Sequence, residues 1–433
     1  MAAADVHRTI EAVWRIESAR LIAGLARMVR DVGLAEELAQ DALVTALEKW
    51  PESGVPDNPG AWLTATAKRR AIDHLRRGKM LDRKHEEIGR ELDELQDAAA
   101  GEIEAALDNP IEDDLLRLVF IACHPVLARE ARVALTLRLL GGLTTDEIAR
   151  AYLVPEPTIA QRIVRAKKTL AKKRVPFEVP APAERMVRLA SVLEVIYLVF
   201  NEGYAATAGE DWIRPSLCDE AVRLGRVLTT LVPGEGEAHA LVALMELQAS
   251  RLRARVGPRG EAILLLDQDR GRWDRLLIGR GLAALDRAVA LGGGGGFYAL
   301  QAGIAACHAR ATTAEATDWA RIASLYARLT DVTRSPIVRL NHAVAVGRAE
   351  GPAAGLVLVD ALADDPSLAA YPYLPSARGD LLERLGRIEE ARAEFVRAAN
   401  LTRNGRDKEA LHKRAASLTA APDNSQLPTS NSQ

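Results

Sequence analysis

Residues 144–175, TTDEIARAYLVPEPTIAQRIVRAKKTLAKKRV, place hydrogen-bonding and cationic side chains on one side of a short predicted helix. Its apolar residues repeat at helical spacing and predict one buried face. These are Ile159, Ile163, Ala166 and Leu170. The opposite face can bind duplex DNA, because arginine pairs with guanine, glutamine pairs with adenine and lysine holds phosphates. The candidate DNA contacts there are Thr158, Gln161, Arg162, Arg165 and Lys168.

Two helices joined by a tight turn are needed to present that face. Thr144 can cap the first helix, and Glu147 can complete a capping box with it. The turn is predicted around residues 152–155, because the residue before a proline avoids helical geometry. Pro157 suits the first turn of the second helix. We interpret the pair as a DNA-binding helix-turn-helix; a surface hairpin with a solvated basic face is the alternative.

A second cationic helix follows the proline- and asparagine-containing loop at residues 51–60. In AWLTATAKRRAIDHLRRGK its cations are opposed only by Asp73. They are Lys68, Arg69, Arg70, Arg76, Arg77 and Lys79. Candidates for its buried face are Trp62, Ala65, Ile72 and Leu75. Cations preceded by a polar loop and an aromatic residue suit single-stranded nucleic acid, but simple solvation explains them equally well.

The helix before this loop separates an apolar side from an acidic, hydrogen-bonding ridge. The predicted core side consists of Leu34, Leu38, Ala42, Leu43, Ala46 and Leu47. The predicted ridge consists of Glu36, Glu37, Gln40, Asp41 and Glu48. Such a ridge can bind a partner, although most charged helix faces are only solvated.

Charge is distributed unevenly along the 433 residues, although the net charge is only −2. Residues 82–114 contain thirteen acids against three bases, which predicts a flexible acidic linker over residues 81–112. DNA repels such a segment, so it can connect two basic modules without binding the duplex. The length predicts two to four domains.

Several classes of protein are disfavoured by the sequence. The polar N-terminus gives no signal-peptide pattern, and no apolar run is long enough to span a bilayer. Three isolated cysteines favour a reducing cytoplasm. Cys123-His124 has no second ligand pair at metal-binding spacing, so we expect a buried thiol, with no metal and no cofactor.

The sequence predicts a further domain of amphipathic helices over residues 184–420. It predicts a disordered tail over residues 421–433. Near its end an Ala-x3-Phe-x2-Ala spacing at Ala391, Phe395 and Ala398 has an earlier counterpart. That counterpart is Ala354, Leu358 and Ala361. The repeat resembles tetratricopeptide repeats, whose stacked helical pairs usually bind a protein or peptide.

Other conspicuous residues in this half are given structural roles. The glycine run at 292–296 reads as a flexible connector, because it lacks the ending of a phosphate-binding loop. Asp267 and Asp269, like Asn201 and Glu202, have no histidine, phosphate loop or nucleophile placed near them in the sequence. We expect them to cap helices or form buried polar ties rather than catalyse a reaction.

The order of these segments resembles the bacterial sigma-70 family, in particular its extracytoplasmic-function type. AEELAQDALVTALEKW looks like region 2.2, which binds the largest subunit of RNA polymerase. WLTATAKRRAIDHLRR looks like the part of region 2 that melts and reads the −10 element, and the hairpin at 144–175 looks like region 4, which reads the −35 element. IYLVFNEGYAA, LLDQDRGRWD and TDWARIASLY match a subgroup with a C-terminal tetratricopeptide-like extension.

The resemblance implies an all-α fold and a set of contact residues. Region 2 would cover residues 10–80 and region 4 residues 113–175. Core polymerase would contact Leu38, Gln40, Asp41 and Leu43. The −10 strand would contact Asn58, Trp62, Lys68, Arg69, Arg76 and Arg77. The implied protein is a non-enzymatic promoter-specificity subunit, with core RNA polymerase and promoter DNA as partners; the alternative is a stand-alone helix-turn-helix regulator with a repeat-based sensor.

Overall fold

The computed structural model describes residues 3–85, 111–152, 154–204, 214–257, 263–402 and 405–418. Within these ranges the chain is all-α: eighteen α-helices and four short 3-10 helices, and no strand. The predicted fold class is therefore confirmed. The chain is divided into two compact units, residues 1–233 and residues 234–433. Most of the expected acidic linker and the expected tail lie outside the described residues.

The first unit contains nine helices in its described part. They are α1 (Ala3–Val29), α2 (Val32–Ser53), α3 (Pro59–His85), α4 (Ile111–Ala122), α5 (Arg129–Leu139), α6 (Thr145–Tyr152), α7 (Glu156–Lys172), α8 (Pro182–Tyr204) and α9 (Pro215–Leu231). Helix α1 packs against α2, α3 and α4, whereas α5 packs against α7 and α8. Trp50, Phe120 and Phe200 are among its largest fully buried side chains. The two segments predicted to be basic modules, residues 10–80 and 113–175, are therefore parts of one compact body.

The boundary after this unit differs from the expected start of a C-terminal domain at residue 184. Helices α8 and α9 bury Leu193, Ile196 and Leu217 in the first unit and pack against α4, while α8 also packs against α5. Their apolar faces therefore complete the core around the helix-turn-helix, because an amphipathic helix must cover its apolar stripe. The unit extends to Pro233.

The second unit contains the other nine α-helices of the described residues. They are α10 (Gly236–Ala249), α11 (Arg275–Ala290), α12 (Phe297–Arg310), α13 (Trp319–Thr333), α14 (Pro336–Ala349), α15 (Pro352–Asp360), α16 (Tyr373–Arg384), α17 (Ile388–Leu401) and α18 (Gly405–Ser417). Most consecutive helices pack as neighbours, and α10 also contacts α12. The 3-10 helices are Leu252–Ala254, Leu265–Asp267, Arg270–Arg272 and Pro366–Leu368.

The internal repeat is present only in part. Ala391, Phe395 and Ala398 are fully buried, as predicted for close helix packing. In α15 and the turn after it, however, Leu358 and Ala361 are exposed. The buried set lies one position later, at Gly355, Val359 and Leu362. The earlier register was therefore wrong, because a one-residue shift in a helix changes which side chains face the core.

The glycine run at 292–296 is a close-packed turn rather than the flexible connector expected. A Cβ atom on Gly293 would lie 2.9 Å from the backbone of Gly236, and one on Gly296 would meet the Glu237 carboxylate. Gly292 has φ +80°, which glycine adopts without steric cost. These glycines let the turn approach the start of α10 closely.

No helix in the described part of the chain is long and apolar enough to cross a membrane.

Candidate nucleic-acid interface

The helix-turn-helix forms as its local sequence predicts. The backbone N–H of Glu147 donates to the Thr144 hydroxyl at 3.1 Å, and the Thr144 N–H donates to the Glu147 carboxylate at 2.8 Å. This reciprocal capping box begins α6. Pro157 occupies the first turn of α7, where its missing N–H leaves no hydrogen bond unmade. The predicted apolar face of α7 is buried: Ile159, Ile163, Ala166 and Leu170.

The opposite side of α7 presents three of the five predicted DNA contacts to solvent. Gln161, Arg165 and Lys168 are exposed, whereas Thr158 and Arg162 are half-buried at the edge of this face. Arg162 lines a cleft that it shares with Tyr152. We define Gln161, Arg165 and Lys168 as the α7 face. Its long polar side chains can reach base edges and phosphates.

Helix α3 turns a different side to the core than the sequence suggested. Leu63, Ala67 and Ala71 are buried, whereas Ala65 is exposed and Trp62 is half-buried. The other two expected core residues, Ile72 and Leu75, are half-buried as well. The prediction of the buried face was wrong because small alanines, rather than the larger side chains, allow α3 to pack closely against α1 and α2.

The start of α3 is fixed by two contacts. The Asn58 side-chain oxygen accepts a hydrogen bond from the Ala61 N–H at 3.0 Å and so caps the helix. The Trp62 ring meets the buried Trp50 ring edge-on, with ring centroids 5.3 Å apart. Asn58 therefore keeps its amide NH2 group as a donor, while Trp62 keeps a partly exposed aromatic surface.

The cations of α3 form a stripe along the exposed side of the helix. Trp62, Arg69 and Arg76 follow one another at intervals of about two turns, so they lie on one face. Arg69, Arg76 and Arg77 are exposed, and Lys68 is half-buried. Arg70 instead binds α2: its guanidinium donates to the Thr45 hydroxyl at 2.8 Å and pairs with Asp41 at 3.2 Å.

The ridge on α2 differs from the sequence prediction at Glu36, and Leu38, one of the implied polymerase contacts, is buried on the core side where the apolar pattern placed it. Asp41 is exposed, and Gln40 and Leu43 are half-buried, so these three remain accessible. Leu38 is only 7% exposed and belongs to the core, as its apolar character favours. Glu36 is 2% exposed instead of lying on the solvent side.

Glu36 links α2 to the helix-turn-helix, a role that sequence reasoning missed. Its carboxylate pairs with Arg138 of α5 at 2.6 Å and with Lys167 of α7, and accepts a hydrogen bond from Gln40 at 2.5 Å. Two cations and an amide thus compensate one buried charge. The available signal was its spacing, since Glu36 follows Val32 by one turn and precedes Ala39 on the buried stripe of α2.

Comparison with known proteins identifies both modules. Sigma-70 region 2 matches residues 16–80, and sigma-70 region 4 matches residues 117–170. The chain belongs to the sigma-70 family. A family of unknown function, DUF6596, matches residues 188–289 of this sigma factor, which is of the extracytoplasmic-function type with a C-terminal extension. Its regions 2 and 4 give it a role in transcription initiation, and proteins of the sigma-70 family are not enzymes.

Two relatives illustrate how far the similarity of this sigma factor extends. An uncharacterized protein of Rhizobium meliloti (strain 1021), R00370, is 43% identical over 92% of this chain and 93% of its own length. The probable ECF RNA polymerase sigma factor SigI of Mycobacterium tuberculosis is 27% identical over 43% of this chain and 62% of its own length, in two strains.

Regions 2 and 4 of the sigma factor are also joined through α1. Arg15 pairs with Glu147 of the capping box at 2.8 Å, and Arg27 pairs with the buried Asp114 of α4 at 3.1 Å. Burial raises the pKa of the Glu147 carboxyl, but the Thr144 hydrogen bonds and the Arg15 charge outweigh it and hold the pKa below its usual value. Gly142, with φ +66°, lets the loop before α6 approach Ser18.

The first two helices of the extension and the segment between them contact region 4 of the sigma factor. The Ser191 hydroxyl of α8 donates to the Cys123 carbonyl at 2.6 Å, and Arg223 of α9 donates to the Leu140 carbonyl at 2.6 Å. Arg214 donates to the Ala151 carbonyl at the end of α6 and pairs with Glu202. Glu202 thus forms a buried polar tie, as expected, and Asp269 caps a 3-10 helix through the Gly271 N–H at 2.8 Å.

Cys123 is a core thiol, as its sequence context predicted. It is 1% exposed and lies 3.3 Å from the Thr136 hydroxyl. Burial raises its pKa to about 11, so the thiol stays protonated at neutral pH. Burial and the charge of Arg188 lower the pKa of the adjacent His124 to about 4. Among the described residues, no three histidine, cysteine or carboxylate side chains are grouped to hold a metal.

Proposed function

We propose that this sigma factor directs core RNA polymerase to promoters through three separate surfaces of residues 1–233. Helix α2 would contact polymerase through Gln40, Asp41 and Leu43, with Leu38 supporting them from the core. Helix α3 would hold the melted −10 strand, and the α7 face would read the −35 duplex. The observation that carries this proposal is the presence of two cationic helices, α3 and α7, in the matched regions 2 and 4.

On α3 the DNA contacts that we propose for each side chain follow from its exposure to solvent. Arg69, Arg76 and Arg77 are available to neutralise phosphates, and Lys68 is placed beside them. Trp62 offers a partly exposed ring on which a base can stack, and the free amide of Asn58 can donate to a base. On α7, Thr158 and Arg162 would contribute from the edge of the face.

The C-terminal extension would modulate this activity, with unit 2 offering a surface for a protein or peptide partner. The contacts of α8 and α9 with α4, α5 and α6 support a direct mechanical connection between the extension and region 4. We place the protein in the cytoplasm with the polymerase and assign it no catalytic step. A truncation for testing the extension should therefore end after Pro233 rather than near residue 180.

Run-off transcription with purified core enzyme tests the proposal. The template should be a promoter mapped from transcript starts after overexpression of the protein. We expect promoter-specific transcripts from the full chain and an altered yield from residues 1–233. Equal yields from both would remove a regulatory role for residues 234–433. Tight duplex binding without polymerase, unaffected by Asp41→Lys, would instead favour the stand-alone regulator.

A further inference from the structure

Lys167 differs from the neighbouring cations of α7 in its surroundings. Its side chain is 20% exposed, and its ammonium group pairs with the carboxylate of Glu36, whose side chain is 3% exposed. Arg165 and Lys168, in contrast, are exposed. Lys167 lies about 100° around the helix from Lys168, at the border between the exposed and buried sides. A lysine there can reach a phosphate beside the groove that α7 would enter, but its charge is held by Glu36.

Helix α2, which carries Glu36, is attached to α7 by a small contact. Among the described helices, α2 packs extensively only against α1 and α3. Its contact with region 4 is centred on the Glu36 carboxylate, which pairs with Lys167 and with Arg138 of α5. A cleft of about 800 Å³ lies beside this contact, and Arg30 and Arg174 are in its lining. The contact can therefore open without exposing a large apolar surface to water.

The accessible ridge of α2 is connected to the same carboxylate. Gln40 is half-buried and donates a hydrogen bond to Glu36 at 2.5 Å. It is also one of the side chains proposed above to contact polymerase. A partner that binds Gln40 removes one of the three groups that compensate the buried charge of Glu36. Because a buried carboxylate is costly unless it is compensated, such binding favours exposure of Glu36 to water and separation of α2 from α7.

We propose that Lys167 is a DNA-phosphate contact that Glu36 holds out of use until polymerase binds α2. In the closed arrangement, in which Glu36 pairs with Lys167, duplex DNA meets only the α7 face and its half-buried edge. When α2 separates from α7, Lys167 is released and adds a phosphate contact beside that face. Region 4 then binds DNA more tightly in the polymerase complex than in the free chain. The inference rests on the proposed function, because polymerase is the partner that binds α2.

A disulfide between α2 and α7 tests whether polymerase binding separates them. A Cβ atom on Gly33 would lie 3.9 Å from the Lys167 Cβ, within the disulfide range of about 3.5–4.5 Å, although Asp31 must shift slightly. In the full chain carrying Gly33→Cys and Lys167→Cys, we expect the oxidised form to bind core polymerase about fivefold or more weakly than the reduced form. Wild type, which has three cysteines, is treated identically as the control. If wild type binds polymerase and the two forms bind equally, the proposal is overturned; no binding by wild type would contradict the proposed function itself.

Two neighbouring lysines of α7 provide matched variants for the DNA contact. Fluorescence anisotropy with a labelled mapped promoter, repeated at several salt concentrations, gives the slope of log K against log[salt], to which each phosphate contact contributes about 0.9. Lys168→Gln should reduce the magnitude of this slope by about 0.9 in the free full chain and in the polymerase complex. Lys167→Gln should reduce it by about 0.9 in the polymerase complex only.

Melting temperatures establish that both lysine variants are folded at the temperature of the titration. An unchanged slope for Lys167→Gln in the polymerase complex would overturn the proposal, because Lys167 would then be only a structural partner of Glu36. An equal reduction in the free chain and in the complex would overturn it as well, because Lys167 would then not be concealed. An unchanged slope for Lys168→Gln in both states would contradict the α7 face, on which this inference rests.

Discussion

At the scale of single residues, exposure separates the side chains of α7 that can read DNA from those that hold the helix in place. Gln161, Arg165 and Lys168 are exposed, whereas Lys167 pairs with Glu36 of α2. Sequence periodicity predicted the exposed face of α7. It did not predict the ion pair of Lys167, because Glu36 is distant from Lys167 in the sequence. The proposed DNA contacts of α7 are therefore fewer than its number of cationic side chains suggests.

Arg165→Ala should weaken promoter binding by the polymerase complex about tenfold or more, because one good arginine–base contact contributes about 1–3 kcal/mol. Fluorescence anisotropy with a labelled mapped promoter measures the loss. Arg150→Ala is the matched control, since Arg150 is exposed on α6 but already paired with Asp146 at 2.8 Å. Equal losses in the two variants would contradict a specific role for the α7 face.

His308 should make the second unit less stable in acid. Its pKa is about 4 when folded and near 6.5 when unfolded, so the unfolded state binds more protons between these values. Stability should therefore fall as the pH drops from about 6.5 to 4, by roughly 2–3 kcal/mol from this group. Unfolding of wild type and His308→Gln at pH 7 and pH 4.5 measures it. An unchanged pH dependence in His308→Gln would contradict this role.

At the scale of secondary-structure elements, Glu36 connects α2 of region 2 with α5 and α7 of region 4. Glu36→Gln should lower the free energy of unfolding of the first unit by about 3–5 kcal/mol, because it leaves Arg138 and Lys167 without their buried counter-charge. Denaturant unfolding followed by circular dichroism measures the change. Glu37→Gln alters the exposed neighbour and should have little effect; similar losses in both would exclude the proposed link.

Residues close in sequence predicted where the helices begin and which face is buried. They did not predict which other helices and side chains they contact. The Thr144–Glu147 capping box, Pro157 in the first turn of α7 and its buried face all depend on residues close in sequence, and all were predictable. The buried face of α3 and the burial of Glu36 depend on helices elsewhere in the chain. For the same reason the roles of α8 and α9 could not be predicted: Ser191 and Arg223 contact carbonyls more than fifty residues earlier.

At the scale of the whole molecule, the division at Pro233 predicts where the chain can be cut. Residues 1–233 should fold with a cooperative melting transition, because α8 and α9 remain on α4 and α5. Residues 1–180 should melt at a lower temperature or aggregate, since the apolar surfaces of α4 and α5 that pack against α8 and α9 become exposed. Circular dichroism and size-exclusion chromatography distinguish these results. Equal stability of both truncations would contradict the boundary.

Co-elution of the purified full chain with bacterial core RNA polymerase tests the central claim most directly. We expect the wild-type chain and Glu52→Lys, which alters an exposed residue at the end of α2, to co-elute with the core enzyme in equal amounts. Asp41→Lys should remain folded but lose most of this association, because it reverses the exposed charge of the proposed contact. Failure of the wild-type chain to associate with the core enzyme would contradict the account.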